Sequence, residues 1–268
     1  SIGKLPLFAS SSHGYKNLIK LSSKSYLDSD ERTDPHCKIS EFRNINEGLM
    51  LLSGNYLGIF GKLFKLNKLK QIEEAVKELK NIFKDRFYLE IQRHNEAGEE
   101  NYENFIIKLS QINQVPLIAT QEVFYLKKDM YEAHDALVCI GQKNFVDDPN
   151  RLKFSDQHFI KKNEDIVTLF KDIPEALENN YNFPFRFNFK PKKTIPSLPK
   201  IKTEKNITVE DELLEQAKEG LNNRLENYIL KKNPETKKEK IFKIYQDRLT
   251  HELNIINSMN YPGYFLIV

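Results

Sequence analysis

Short apolar runs alternate along the first two thirds of the chain with longer stretches whose apolar residues recur every three or four positions. The runs predict strands at residues 5–9, 48–54, 87–92 and 115–120, and the periodic stretches predict helices at residues 15–26, 56–66, 69–83, 102–112 and 130–140. Strands of about five residues separated by helices of ten or more are typical of βαβ units. We therefore predict an α/β fold with a parallel sheet for residues 1–182, either open or closed into a barrel.

The pattern changes at Phe183. Four prolines exclude a helix over the next residues, and basic side chains outnumber acidic ones, so residues 183–206 are predicted to form a basic, extended connector. Beyond it, residues 207–268 are predicted to be mainly helical. Thr208 and Asp211 resemble a helix N-cap pair, and a second long helix ends near Met259. The last apolar residues, 264–268, are expected to form a strand that is cut short.

Composition adds three constraints. Forty-one Lys and Arg against 38 Asp and Glu leave a net charge of only +3, which by itself does not predict binding to nucleic acid or to an anionic membrane. No apolar run reaches the roughly 20 residues of a membrane helix, so we expect no membrane partner. The two cysteines fit neither a disulfide framework nor a metal spacing, which favours a cytoplasmic location.

Candidate chemistry is sparse. The chain contains no glycine-rich phosphate loop and no short hydrolase or zinc-protease motif. His94 is the most informative position because it follows a predicted parallel strand, where α/β proteins place ligands and metals. The alternative is an ordinary hydrogen-bonded histidine. His134 is expected on a helix surface, His158 facing solvent, and the pair Glu99 and Glu100 in a solvated turn.

The connector offers a second candidate site. Lys190, Lys192 and Lys193 could contact a phosphate backbone, and three phenylalanines are interleaved with the basic residues around them. The alternative is a solvated linker whose aromatic side chains cover the edge of a domain. The three lysines are therefore candidate DNA contacts, and the sequence does not decide between DNA contact and a solvated linker.

Nine segments, taken together and in order, resemble the bacterial DNA polymerase III α family along nearly the whole chain. Because the chain neither starts with Met nor ends on a polar turn, we expect it to be an interior piece of such a protein. The segments are residues 13–18, 47–54, 87–94, 116–120, 132–135, 147–149, 172–179, 218–221 and 248–268.

This resemblance implies an incomplete distorted β/α barrel of the PHP (polymerase and histidinol phosphatase) type over residues 1–182, and the start of the palm domain over residues 207–268. It also implies a metal site that would include His94 and Glu122. Two further positions of the family's ligand set match Lys4 and Phe124, which cannot bind a metal ion, so the site is expected to be vestigial.

The resemblance further implies a DNA-directed DNA polymerase, a nucleotidyltransferase of DNA replication. Its Mg²⁺ would be held by aspartates outside this chain, so no cofactor is expected for the piece itself. The implied partners are template–primer DNA, dNTPs, a proofreading exonuclease subunit and other replicase subunits. The present residues would then be a structural and docking region. The alternatives are a metal-dependent PHP phosphoesterase or 3′–5′ exonuclease, and an unrelated basic binding module.

Overall fold

A computed structural model describes residues 3–30, 32–194, 207–232 and 238–268, and these residues divide into two compact units. The first unit extends to Pro191 and the second begins at Lys192. Lys200 to Lys205, in the later part of the predicted connector, lie outside the described residues. Among the described residues, no helix has both the length and the apolar character needed to cross a bilayer.

The first unit is built on a four-stranded sheet in the order β1 (Leu7–Ala9), β2 (Leu49–Leu52), β3 (Phe87–Ile91) and β4 (Leu117–Ala119). Its helices are α1 (Ser12–Leu27), α2 (Ile59–Lys65), α3 (Leu69–Phe83), α4 (Glu99–Asn113), α5 (Tyr131–Gln142), α6 (Asn163–Leu169) and α7 (Pro174–Asn182). Short 3₁₀ turns occur at Ile39–Arg43, Lys84–Arg86, Lys128–Met130 and Phe183–Arg186. The predicted α/β class is confirmed.

Strands β2, β3 and β4 run parallel, as predicted, but β1 is antiparallel to β2, with Phe8 opposite Met50. The prediction of a wholly parallel sheet is therefore wrong at its first strand. Periodicity within one segment carries no information about strand direction, which depends on where the chain re-enters the sheet.

Close packing at the start of α1 requires glycine at two positions, Gly14 and Gly48. Ser11 caps this helix by accepting a hydrogen bond from the Gly14 backbone N–H at 3.1 Å. A Cβ atom at Gly14 would lie 1.8 Å from the carbonyl oxygen of Gly48, a residue whose own φ is +68°. Only glycine permits this approach and this backbone conformation, so the helix start is held tightly against the loop that leads into β2.

The main core lies between one face of the sheet and the helices packed on it. Alternate strand residues such as Leu51 and Leu89 point into it, and Ile72, Val76 and Phe83 of α3 meet them from the helix side with no exposed surface. Burying each of these side chains contributes about 1.5–3 kcal/mol before entropy losses. The 3.6-residue period of α3 is thus explained by this single apolar face.

The opposite face of the sheet carries a smaller cluster of Met50, Leu52, Tyr88 and Ile118. Phe183 and Phe187 pack against it, and the Arg186 guanidinium donates to the Tyr88 hydroxyl at 2.7 Å. We call residues 183–187 the strap. Because strand residues alternate between the two faces, Phe183 and Phe187 of the strap cover this second face of the sheet, while Phe185 is exposed.

The free edge of β4 is closed by side chains of α7. The Asn179 amide donates to the Leu117 carbonyl oxygen and the Asn180 amide to that of Ala119, both at 2.8 Å. Unpaired strand carbonyls would otherwise lose their hydrogen bonds on burial. Within the described residues the sheet is therefore open and ends in amide caps.

The second unit is helical, as predicted. It contains α8 (Val209–Arg224), a π turn (Leu225–Ile229), α9 (Leu230–Lys232), α10 (Lys238–Ser258) and α11 (Pro262–Ile267). Thr208 caps α8 by accepting from the Asp211 backbone N–H at 3.1 Å, which confirms the predicted cap. Helix α8 packs against α10 and α11.

The predicted strand at residues 264–268 is wrong, because residues 264–267 lie in α11. Pro262 occupies the first turn of the helix, where its fixed φ and missing N–H are both accommodated. The Phe265 backbone N–H then donates to the Tyr261 carbonyl oxygen at 3.2 Å. A short apolar run does not distinguish a strand from a helix, and here the preceding proline starts the helix.

Candidate metal site at the carboxyl end of the sheet

The carboxyl ends of β2, β3 and β4 meet at one edge of the sheet because the three strands are parallel. Asn55 follows β2, Gln92 and His94 follow β3, and Glu122 follows β4. Ligand sites of α/β proteins lie at this edge. The candidate metal ligands His94 and Glu122 therefore lie at this edge.

His94 is only 2% exposed and is fixed by hydrogen bonds. Its backbone N–H donates to the Glu99 carboxylate at 2.8 Å, and its Nε2 lies 3.1 Å from the Glu122 carbonyl oxygen. Its Nδ1 lies 3.8 Å from the same Glu99 carboxylate. A carbonyl oxygen only accepts hydrogen bonds, so this contact is a hydrogen bond when Nε2 carries the ring proton, and Nε2 then presents no lone pair to a metal.

Glu122 meets His94 through its backbone, not through its carboxylate. The carboxylate instead accepts a hydrogen bond from the Asn55 amide at 3.1 Å, while the carbonyl oxygen of Glu122 also lies 3.2 Å from Nδ1 of His158. The two predicted ligands are therefore neighbours, but their ligating atoms do not converge on one point.

A buried polar network continues inward from Asn55. The Asn55 amide donates to the Gln92 side-chain oxygen at 2.8 Å, and Gln92 donates in turn to Glu90 and to the Thr120 hydroxyl. Glu90 is 4% exposed, and one of its carboxylate oxygens has no hydrogen-bond partner within the structure. Burial raises the pKa of Glu90, and hydrogen bonds from Thr120 and Gln92 only partly oppose the shift.

Four aromatic rings form a column over this edge, which we call the ring column: His94, His158, Phe124 and His134. Successive ring centroids lie 4.0, 4.7 and 5.1 Å apart, with interplanar angles of 1°, 19° and 7°. Phe154 packs against three of these rings from the side. The column fills the space above the carboxyl ends of the strands with stacked side chains.

His158 was expected to face solvent, and this prediction is wrong because its side chain is fully buried in the ring column. Its Nε2 lies 3.3 Å from the Glu96 carboxylate. Burial raises the pKa of the Glu96 carboxyl, but hydrogen bonds from the His158 ring and the Ser155 backbone N–H together outweigh burial and lower that pKa. No local pattern around residue 158 marks it as buried, since its partners come from residues 94–96 and 122–124.

Two other expectations also change. Glu99 was predicted in a solvated turn, but it is 7% exposed and binds the His94 backbone from the first turn of α4. His134 was predicted on a helix surface, but it is half-buried and stacks on Phe124. The useful signal for Glu99 was its position at a helix N-terminus, where a carboxylate commonly captures nearby backbone N–H groups.

The residues at this edge do not fit the metal cluster that the PHP resemblance implies. Phe124 contributes a ring where the family pattern has a ligand, and Lys4 is exposed. In the part of the chain that the structure describes, no group of three or more His, Cys, Asp or Glu side chains is arranged to hold a metal ion. The donors present are committed to hydrogen bonds with the protein.

The candidate DNA contacts lie elsewhere. Lys190, Lys192 and Lys193 are all exposed. Of the aromatic residues interleaved with the basic ones, Phe187 covers the sheet and Phe189 packs on Tyr15, whose ring centroid is 5.1 Å away. Phe187 and Phe189 thus cover a domain edge, whereas Phe185 is exposed. The three lysines stay available, and their role remains a prediction.

The chain is similar to known protein families at both of its ends and to known proteins along nearly its whole length. Residues 2–94 match the family profile described as PHP domain, and residues 211–268 match that of the bacterial DNA polymerase III alpha NTPase domain. The chain is 39% identical to DNA polymerase III subunit alpha of Caulobacter vibrioides and 37% identical to that of Rickettsia bellii, in each case over 98% of its length. The chain is similar to DNA polymerase III α subunits along nearly its whole length.

The polymerase III α subunit of Pseudomonas aeruginosa is 33% identical over the whole chain. In every one of these comparisons the chain spans only 22–23% of the relative's length. The PHP and polymerase III α profiles follow one another in the order that the sequence resemblance predicted, so the resemblance found in the sequence is confirmed.

Proposed function

We propose that this chain is part of the catalytic α subunit of a bacterial replicative DNA polymerase, acting in the cytoplasm. The observation that carries the proposal is continuous similarity over 98% of the chain to proteins named DNA polymerase III subunit alpha. The whole protein would join dNTPs to a primer on a DNA template, with Mg²⁺ ions stabilising the attacking and leaving oxygens. The residues that hold Mg²⁺ would lie in the part of the relatives that this chain does not span.

Within that protein, the first unit would act as a structural and docking module. The ring column and the polar network support this role, because they fill the carboxyl end of the sheet with side chains that bind one another. A filled edge suits a rigid support better than an active site, which needs room for substrate. The proofreading exonuclease subunit and other replicase subunits are the proposed docking partners.

Primer extension by the full-length protein tests the polymerase assignment. We expect elongation of a labelled primer that requires template, dNTPs and Mg²⁺. A His94→Gln variant should elongate at the parental rate, since His94 is assigned no part in the chemistry. Absence of template-directed synthesis in a folded, full-length preparation would contradict the polymerase assignment.

A hydrolytic PHP site is the competing function, and the retained His94 is the observation in its favour. The full-length protein should bind no stoichiometric zinc or manganese through the first unit. It should not degrade 3′-labelled single-stranded DNA, or hydrolyse a phosphomonoester, in a manner that His94→Gln abolishes. Metal that co-purifies and is lost in His94→Gln, while the exposed control His13→Gln retains it, would establish the hydrolytic function instead.

Docking of the exonuclease is tested by co-elution of the two full-length proteins in size-exclusion chromatography. We expect a complex that survives replacement of His94. Separate elution at micromolar concentrations would contradict the docking role but would leave the polymerase assignment intact.

A further inference from the structure

The amino end of the sheet, opposite the ring column, carries an open groove. Two adjoining cavities of about 710 and about 320 Å³ share Lys80, Asn81 and Gln114 in their lining. The groove runs between the last two turns of α3, the end of α4 and the strap. Its basic lining residues are Lys77, Lys80, Lys84 and Arg186.

The contacts of these side chains decide how much positive charge is free. Arg186 is paired with Asp85 at 2.6 Å, and the Lys80 ammonium donates to the Asn113 carbonyl oxygen. Lys77 and Lys84 are exposed, and within the described part of the chain neither forms a salt bridge. Four cationic lining residues against the single carboxylate of Asp85 leave a formal charge of +3.

An ordinary structural role accounts for only part of this charge. Helices α3 and α4 both end at the groove, and basic residues near helix C-termini stabilise the negative ends of the helix dipoles. Each dipole end is equivalent to about half a negative charge, so two of them offset about one positive charge. An excess of about two positive charges remains, and it resides on the exposed Lys77 and Lys84.

We propose that this groove binds the phosphate backbone of a nucleic acid. Lys77 and Lys80 lie in the last two turns of α3, and Lys84 follows directly after the helix ends at Phe83. From Lys77 to Phe83 the helix rises about 9 Å, between two and three nucleotide steps of a duplex strand. The side-chain amides of Asn81 and Gln114 offer hydrogen bonds between these charges. The inference rests on the proposed function, which places DNA next to this chain.

An acidic peptide is the competing occupant, but the groove gives it little to recognise. Ile112, Pro116 and Tyr88 are the apolar or aromatic lining residues, and Tyr88 is only 6% exposed. Peptide grooves gain most of their specificity from apolar side-chain pockets. Regularly spaced charges and amides, without such a pocket, suit a phosphodiester chain better.

The test measures binding of the full-length protein to a fluorescently labelled primer–template with long single-stranded and duplex arms, at salt concentrations from about 50 to about 200 mM. The variant Lys77→Gln with Lys84→Gln is compared with Lys20→Gln plus Lys127→Gln, which removes the same charge from exposed lysines outside the groove lining. The slope of log K against the logarithm of the salt concentration is negative. Loss of two phosphate contacts should reduce its magnitude by about 1.4–1.8 in the groove variant alone.

Equal slopes in the two variants would overturn the proposal. The proposal would also be overturned if the groove variant lost affinity for poly-glutamate but kept its affinity for DNA. That outcome would assign the groove to an acidic protein partner. Primer extension, measured on the same preparations, distinguishes failure of the groove proposal from failure of the proposed polymerase function. Retained synthesis with equal slopes refutes the groove alone, whereas absence of synthesis in the parental protein refutes the polymerase function.

Discussion

The two ends of the sheet in the first unit differ in how their polar side chains are satisfied. At the carboxyl end, histidines, carboxylates and amides bind one another, and His94, His158 and Glu99 are buried. At the amino end, exposed lysines surround an open groove. Buried polar groups contribute to stability only when all their partners are present, while exposed charges act mainly on other molecules.

This difference reverses the usual arrangement of α/β proteins, in which the carboxyl end of the sheet carries the ligand site. Here a phenylalanine and two additional histidines occupy that end as a packed column. Substitutions at the carboxyl end should therefore change stability, and substitutions at the amino end should change binding. Four variants test this division.

The largest effect is expected for His158→Ala. This change removes a fully buried ring from the middle of the ring column and leaves the Glu96 carboxylate without its histidine partner. We expect a loss of about 3 kcal/mol or more in the free energy of unfolding, measured by urea denaturation of the chain. The exposed control His251→Ala should change it by less than about 0.5 kcal/mol. Similar small losses in both variants would contradict the structural role of the column.

Glu90→Gln tests the polar network through pH. The folded-state pKa of Glu90 is raised by burial, so its contribution is complete below the unfolded value of about 4.3 and is lost as the pH rises through the folded value. The parent should lose about 1.4 kcal/mol of stability per unit of that shift, and Glu90→Gln should not. Urea midpoints from about pH 4 to about pH 8 measure this. A variant that keeps the parental pH dependence would show that Glu90 is not responsible, and the exposed Glu100→Gln is the control.

Arg186→Ala changes a residue of the amino end whose charge is already paired within the protein. The guanidinium donates to the Tyr88 hydroxyl and to the backbone and side chain of Asp85, and it anchors the strap over the apolar sheet face. We expect a loss of about 1 kcal/mol in unfolding free energy. Arg43→Ala, which breaks an exposed pair with Glu78, should cost less. A larger loss for Arg43→Ala would mean that the strap is not held through Arg186.

The smallest effect is expected for the double variant Lys77→Ala with Lys84→Ala. Both side chains are exposed, so the unfolding free energy should change by no more than about 0.5 kcal/mol. Thermal denaturation of the double variant against the parent measures it. A loss comparable to that of His158→Ala would contradict the division between a stability end and a binding end.

The sequence predicted those parts of the fold that depend on local pattern. Strand β2 is a continuous apolar run, β3 is apolar except for Glu90, and α3 repeats apolar residues at helical spacing, so both kinds of element follow from neighbours in the chain. The antiparallel direction of β1 and the helix at residues 262–267 depend on chain re-entry and on one proline, and pattern alone did not resolve them.

The candidate site was predicted only in outline. His94 was predicted to follow a parallel strand, whereas Glu122 was named only from the family resemblance; the two residues follow neighbouring parallel strands, and their role as metal ligands stays a prediction. The burial of His158 could not be read from its surroundings in the sequence, since it depends on packing against residues more than 30 positions away. Glu90 was hidden in a strand pattern that alternates apolar and polar residues, where a carboxylate looks like an ordinary solvent-facing residue.

The strap also determines how the first unit would respond to tension. Phe183 and Phe187, which lie between α7 and Pro191 in the chain, pack against the sheet. The Asn188 backbone N–H donates to the Ser10 carbonyl oxygen at 3.2 Å. A force applied to the chain beyond Pro191 would therefore load the strands β1 and β3 before it reached α7. The aromatic contacts of the strap would therefore have to break before the force reached the hydrogen bonds from α7 to β4.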